Sequence, residues 1–204
     1  MLNIIFSLPH SIKNETEKVN TFLSDDTIDF FHLRKPDYDV NQFKDFIKKI
    51  DKDLHYKIVI HSHYHLINEF DLAGINLNKK ALNQLEFSDE VNQCFIQPLV
   101  VKNRQIEVNR VHPYIVSYSA HSINEIINLP FDTTYVFLSP IFDSISKPNY
   151  FSEFNLDELK ANLNSLNTKV IALGGIEKKH LNLLHSYGFS GYARLGSFWN
   201  NLSK

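Results

Sequence analysis

The residues best suited to chemistry lie in two segments of the last third of the chain. Tyr135-Val-Phe-Leu-Ser-Pro-Ile-Phe-Asp-Ser-Ile-Ser-Lys147 and Val170-Ile-Ala-Leu-Gly-Gly-Ile176 each begin as an apolar run of strand length and end in small, hydroxylated or cationic residues. Buried parallel strands read as near-continuous apolar runs, and ligands of α/β folds collect where such strands end. Ser144, Ser146 and Lys147 offer two hydroxyl donors and an ammonium. Gly174 and Gly175 permit backbone N–H groups to approach a ligand closely. Together they suit an anionic, phosphorylated ligand. Leu195 and Gly196, in Arg194-Leu-Gly-Ser197, add a second small-residue turn of the same kind. The plainer alternative is that the glycines merely end strands and the Ser-Lys run is a turn between Pro140 and Pro148.

Three further positions carry titratable or cationic groups. In His32-Leu-Arg-Lys-Pro36, Arg34 and Lys35 would face the same end of the sheet and could clamp a second anion. His61-Ser-His-Tyr-His65 would put three imidazoles on one face of an extended chain. No carboxylate or cysteine completes a metal set there, and a turn into helix would scatter the rings, so His61 is expected to face ligand and no metal ligands are assigned. His121, in Ser117-Tyr-Ser-Ala-His-Ser122, places an imidazole at a strand end, where such a group could move a proton. A capping or packing histidine is the plainer alternative.

Eight apolar runs would position these groups: Leu2–Leu8, Ile28–Leu33, Lys57–His61, Ala73–Leu77, Tyr114–Tyr118, Thr134–Leu138, Lys169–Leu173 and Gly191–Leu195. Helical spacing fills most of the gaps, over Glu15–Leu23, Val40–Ile50, His63–Phe70, Ser122–Leu129, Leu156–Leu166 and Lys178–Tyr187. Alternation with short loops demands a parallel sheet with crossover helices, and eight repeats at this length match a single (β/α)8 TIM barrel over residues 1–204. A doubly wound open sheet is the rival. Ser122 should cap a helix and Gly188 should end one. The extended segment 79–113, between the fourth and fifth strands, is too long for a plain loop and reads as a helix plus hairpin.

With 43% hydrophobic and 22% charged residues, 16 Phe and 9 Tyr, the chain can bury a large core. A net charge of −2 with scattered basic residues argues against a nucleic-acid or anionic-membrane partner and for a small molecule. Cys94 is the sole cysteine, which excludes an internal disulfide and fits a reducing, cytoplasmic setting. The start, Met1-Leu-Asn-Ile-Ile-Phe-Ser-Leu-Pro9, reads as a first buried strand rather than a leader. A homo-oligomer is compatible with all of this.

The motifs together resemble the thiamine phosphate synthase/TenI family. Leu138-Ser-Pro-Ile-Phe-Asp-Ser-Ile-Ser-Lys147 is similar to its Gly-Pro-(Ile/Val)-Phe-x-Thr-x-Thr-Lys, Ala172-Leu-Gly-Gly-Ile176 to its Ala-Ile-Gly-Gly-Ile, and Ser119-Ala-His-Ser122 to its Ser-x-His-(Ser/Thr). The resemblance implies a (β/α)8 barrel binding thiazole phosphate. It puts Ser144, Ser146 and Lys147 among the substrate ligands, Ser119 near the substrate, and Gly174, Gly175, Leu195 and Gly196 around the phosphate. Arg34 matches the arginine of the family's Gln-x-Arg-x-Lys. His32 replaces the glutamine, and Pro36 stands at the lysine, with Lys35 adjacent.

The synthases join hydroxymethylpyrimidine diphosphate to thiazole phosphate, with Mg2+ assisting diphosphate departure. Their third-strand Ile-Asn-Asp reads Ile60-His-Ser62 here, and their fourth-strand His-Leu-Gly-Gln with a following acid reads Asn76-Leu-Asn-Lys79, then Lys80 and Ala81. Both carboxylates expected to hold Mg2+ are missing. TenI-type members are thiazole tautomerases that need no such metal and use the fifth-strand histidine, which is His121 here. The expected activity is therefore TenI-like tautomerisation with no cofactor. The alternatives are a divergent synthase requiring Mg2+ and a non-catalytic ligand-binding or regulatory barrel.

Overall fold

The computed structural model of the 204-residue chain describes residues 1–85, 114–143, 152 and 154–202. Eight parallel strands close into a barrel in sequence order: β1 (Leu2–Phe6), β2 (Phe30–Leu33), β3 (Ile58–Ile60), β4 (Gly74–Leu77), β5 (Ile115–Ala120), β6 (Tyr135–Leu138), β7 (Lys169–Ala172) and β8 (Gly191–Arg194). Pairing of β1 with β8, with Leu2 opposite Gly191 and Ile5 opposite Arg194, rules out the open doubly wound sheet. Around it run α1 (Glu15–Leu23), α2 (Val40–Lys48), α3 (Leu66–Phe70), α4 (Lys79–Leu85), α5 (Ile123–Ile127), α6 (Leu156–Ser165), α7 (Leu181–Ser186) and α8 (Gly196–Trp199).

The strands bury both faces, and their two faces do different work. Ile5, Phe31, Leu33, Ile58, Ile60, Ile75, Leu77, Val136, Leu138 and Val170 point outward, into the layer formed with Val19, Leu23, Phe43, Ile47, Leu159 and Leu163 of the helices. Ile4, Phe6, Val59, Ile115, Tyr135, Phe137, Ile171 and Ala193 fill the barrel itself. This is the period-two alternation of a strand buried on both sides.

Local signals explain most helix ends. Asp39 accepts from the N–H groups of Asn41 and Gln42 while Gln42 reaches back to the Asp39 N–H, a reciprocal cap that starts α2. Ser122 accepts from Glu125 N and starts α5, and Gly188, at φ +91°, follows the end of α7, as expected. The helix expected from His63 begins only at Leu66, because His63 turns through the left-handed region at φ +52°. The stretch expected to be one helix over Lys178–Tyr187 opens with a separate 3-10 turn, Lys178–His180. Of the extended segment 79–113, α4 forms the start; the hairpin expected beyond it lies outside the described residues.

Candidate active site at the barrel mouth

The C-terminal ends of the strands open into a cavity of about 1010 Å3. Phe6, Arg34, His61, Ser119, His121, Ser139, Gly174, Gly175, Leu195 and Gly196 contribute to its wall, as do Lys79 and Lys80 at the start of α4. Most of the residues singled out in the sequence thus share one space. Ser144, Ser146 and Lys147 lie outside the described residues.

Two turns form one side of the mouth. Gly174 and Gly175 adopt φ of +93° and +64°, and the β7 end is tied to the β6 end through Ile141 N to Leu173 O (2.9 Å) and Phe142 N to Gly174 O (3.1 Å). Ser197 Oγ donates to Ile176 O at 2.7 Å, and Trp199 Nε1 donates to Phe6 O at 2.7 Å, which fixes the Leu195-Gly196 turn against both β7 and β1. Among the described residues, the N–H groups of Gly175, Gly196 and Ser197 have no protein acceptor. Such converging backbone donors suit an anion. A Cβ on Gly175 would lie 2.4 Å from Asp143 O and 2.7 Å from Phe142 Cβ. Gly175→Ala should therefore displace the loop and weaken binding of a phosphorylated ligand by about tenfold or more, read by titration calorimetry.

His121 stands on the neighbouring wall. Its backbone N–H donates to Glu125 Oε2 (2.8 Å), and Glu125 Oε1 accepts from Tyr118 Oη (2.7 Å), which anchors the turn between β5 and α5. The ring Nδ1 lies 2.9 Å from Ser139 O. A carbonyl only accepts, so Nδ1 carries the proton and Nε2 of the neutral ring keeps a lone pair. Sequence reasoning missed Glu125, although Ser122-x-x-Glu125 is a recognisable helix-start signal.

Arg34 is held by its backbone: Ser7 Oγ accepts from Arg34 N (2.8 Å) and donates to Arg34 O (3.0 Å), leaving the guanidinium exposed on the wall. Lys35 does not join it. Its Nζ is buried between Glu15 Oε1 and Oε2 (2.7 and 2.6 Å) and His10 O (2.9 Å), outside the barrel wall. Adjacent strand residues point to opposite faces, so an Arg34 at the mouth sends Lys35 away. Burial lowers the Lys35 ammonium, and Glu15 partly offsets that.

His32 also misses the cavity wall; it is fully buried beneath it. Its Nδ1 meets His61 Nε2 at 3.0 Å and its Nε2 meets Tyr135 Oη at 2.7 Å. Phe6 stacks on His32 with ring centroids 5.0 Å apart and meets His61 edge-on at 5.3 Å, making an aromatic floor. His63 turns away to Tyr38 O (3.1 Å) and His65 is exposed, so the three imidazoles of this segment are scattered.

Burial pushes the His61 imidazole down to about 3, with the Arg34 charge adding to the effect, and burial holds His32 well below its ordinary value. Unfolded, His61 would take up a proton near 6.5, whereas folded it does so only near 3. Its contribution to stability is complete above pH 6.5 and declines as the pH falls from 6.5 towards 3. Urea midpoints measured between these limits should fall with acid, by about 1.4 kcal/mol per pH unit for this group. His61→Asn should flatten that dependence.

Magnesium prefers oxygen ligands, carboxylates above all, in near-octahedral order. At the ends of β3 and β4 this chain offers His61, Ser62, Asn78, Lys79 and Lys80, and Asn78 Oδ1 already accepts from Ala81 N at 2.9 Å. Among the described residues no cluster of three or more His, Cys, Asp or Glu side chains forms a metal site. Among the described residues the donor set does not fit Mg2+.

The family model described as thiamine monophosphate synthase matches residues 101–197. A thiamine phosphate pyrophosphorylase from Bacteroides thetaiotaomicron is 28% identical, with a TM-score of 0.72 over 98% of this chain and 85% of that one. Over its C-terminal part the chain is similar to the thiamine monophosphate synthase family. A second thiamine phosphate pyrophosphorylase, from Pyrococcus furiosus, shares the fold at 16% identity and a TM-score of 0.66, covering 95% of this chain and 85% of that one. The tryptophan synthase α-subunit of Pyrococcus furiosus, at 11% identity and a TM-score of 0.63, covers 99% and 90% and shares the barrel alone. No curated protein sequence matches. The family's members are enzymes, and the family-model match spans β5 to the start of α8, which supply His121 and both glycine turns.

Proposed function

We propose that this protein is a member of the thiamine monophosphate synthase/TenI family that acts in thiamine biosynthesis as a thiazole tautomerase of the TenI type, with thiazole phosphate carboxylate as substrate. The observation that carries this reading is the fixed tautomer of His121. With Nδ1–H committed to Ser139 O, Nε2 is a base at the cavity wall. In the proposed reaction, Nε2 takes a proton from one atom of the thiazole ring system and returns it at another. Atoms and electrons balance, and no second substrate or metal is required. The Ser139 carbonyl holds the ring and the Glu125 carboxylate holds the His121 backbone N–H, which fixes where Nε2 points.

The phosphate would lie against the N–H groups of Gly175, Gly196 and Ser197, with Phe6 beneath the ring. Among the described residues Arg34, Lys79 and Lys80 outnumber the one wall carboxylate, Glu125, which suits an anionic ligand. A phosphate-anchored ligand should bind at least about a hundredfold more tightly than the free alcohol. Calorimetry with thiazole phosphate and unphosphorylated thiazole tests this, and equal affinities would reject the anchor.

A divergent synthase is the second reading, favoured by the names of the two pyrophosphorylases and by Lys79 and Lys80 beside Arg34, three cations able to face a diphosphate. It requires thiamine phosphate from hydroxymethylpyrimidine diphosphate and thiazole phosphate. Among the described residues no carboxylate pair stands ready for Mg2+, and the tautomerase reading expects no such product with or without Mg2+.

A further inference from the structure

Six polar side chains interrupt the apolar filling of the barrel just below the mouth: His32, His61, Asn76, Ser117, Ser119 and Tyr135. We propose that five of them form a one-way ring of hydrogen bonds, open between Tyr135 and Ser117, that makes the sixth, Ser119, a hydrogen-bond donor to an acceptor atom on the ring of the ligand. This rests on the reading of the mouth as a thiazole phosphate site.

The direction of the ring follows from one amide. Asn76 Nδ2 lies 3.2 Å from Leu77 O, which only accepts, so that end of Asn76 is the NH2 group. The same Nδ2 is 3.2 Å from His61 Nδ1 and 3.1 Å from Ser119 Oγ, so its two hydrogens are shared among three acceptors, and His61 Nδ1 and Ser119 Oγ both turn a lone pair towards it. A neutral His61 then carries its proton on Nε2 and donates it to His32 Nδ1 at 3.0 Å. His32 in turn donates from Nε2 to Tyr135 Oη at 2.7 Å. Ser117, the register partner of Tyr135 on β5, has Asn76 Oδ1 at 2.9 Å and Ile75 O at 3.2 Å as acceptors for its one hydroxyl hydrogen, the shorter contact being to Asn76. The bonds run in one direction from Ser117 on β5 through Asn76 on β4, His61 after β3 and His32 on β2 to Tyr135 on β6, an arrangement in which hydrogen bonds reinforce one another.

The consequence reaches the ligand through Ser119. Its oxygen receives the Asn76 hydrogen, and among the described residues its own hydrogen has no protein acceptor, while the side chain lines the cavity. Ser119 therefore offers O–H to a ring nitrogen or carboxylate oxygen. His61, His32, Asn76, Ser117 and Tyr135 are positioning residues acting through it. Both imidazoles stay neutral because their lone pairs and protons are committed within the ring.

Asn76→Asp reverses the polarity at nearly constant shape, since a carboxylate only accepts. His61 must then donate from Nδ1, and Ser119 must turn its hydrogen towards the new carboxylate. Nitrogen-15 spectra of histidine-labelled protein should show His32 and His61 as neutral Nε2–H tautomers in wild type across about pH 5.5–8. In Asn76→Asp, His61 should move to the Nδ1–H or charged form. Thiazole phosphate affinity should fall about tenfold in both Asn76→Asp and Ser119→Ala, with no further loss in the double variant. Tyr135→Phe, which removes the acceptor of His32 Nε2–H without a new charge, should give mixed His32 tautomers.

Wild-type imidazoles that titrate near 6.5 or carry Nδ1–H would overturn the ring. Full affinity in Asn76→Asp beside a tenfold loss in Ser119→Ala would overturn its link to the ligand. A wild-type protein that fails to bind thiazole phosphate at all would instead remove the functional reading and the ligand link together, and the spectra alone would then decide the ring.

Discussion

His121→Ala should slow thiazole tautomer interconversion by roughly 10²–10⁴-fold, the usual contribution of a positioned general base. Thiazole phosphate affinity should change by less than about threefold, because the backbone donors of the Gly175 and Gly196 turns do not depend on the imidazole. The loss would then fall on kcat rather than on binding. Steady-state kinetics together with calorimetry separate the two. His121→Gln should not recover the rate, since an amide can occupy the bond to Ser139 O but has no basic nitrogen. An unchanged rate in His121→Ala would assign the proton to another group and remove the mechanism given above.

Lys35→Met should destabilise the fold by about 3–5 kcal/mol, the cost of leaving a buried charge without its partner. Glu15 is 4% exposed and loses its ammonium in that variant. Lys35 also ties His10 O of the β1–α1 connection to the end of β2, so the wall carrying Arg34 would loosen with it. The double variant Lys35→Met/Glu15→Leu should recover most of the loss, because a buried ion pair replaced by apolar side chains of similar size is often neutral or stabilising. Urea midpoints of the three proteins measure this. A mild effect in the single variant would mean that water reaches the pair.

The barrel was legible because its signals are local. Eight apolar runs of strand length alternate with helical spacing, and the first helix spans the Glu15–Leu23 read from spacing. The positions of His121, Gly174, Gly175, Leu195 and Gly196 followed, since each ends or just follows a strand, and strand ends converge in a closed barrel. Lys35 was misread for a local reason too. Counting in twos from His32 places Arg34 inside and Lys35 outside, and its buried partner Glu15 is 20 residues away.

The interior ring was not legible at all. His32 meets His61 across 29 positions and Tyr135 across 103, distances that only the register of the closed sheet brings together. Asn76 and Ser117, isolated polar residues in apolar strands, look alone like interruptions. Their pairing follows from Asn76 lying opposite Ser117 in the β4–β5 register.

The most direct test of the central claim is to follow the interconversion of thiazole phosphate carboxylate tautomers by proton NMR, using purified protein in the presence of a metal chelator. Interconversion accelerated well above background, unaffected by chelator and abolished in His121→Ala, is the predicted result. No acceleration by wild-type protein, with thiamine phosphate appearing once hydroxymethylpyrimidine diphosphate, thiazole phosphate and Mg2+ are supplied, would contradict the account and make the chain a synthase.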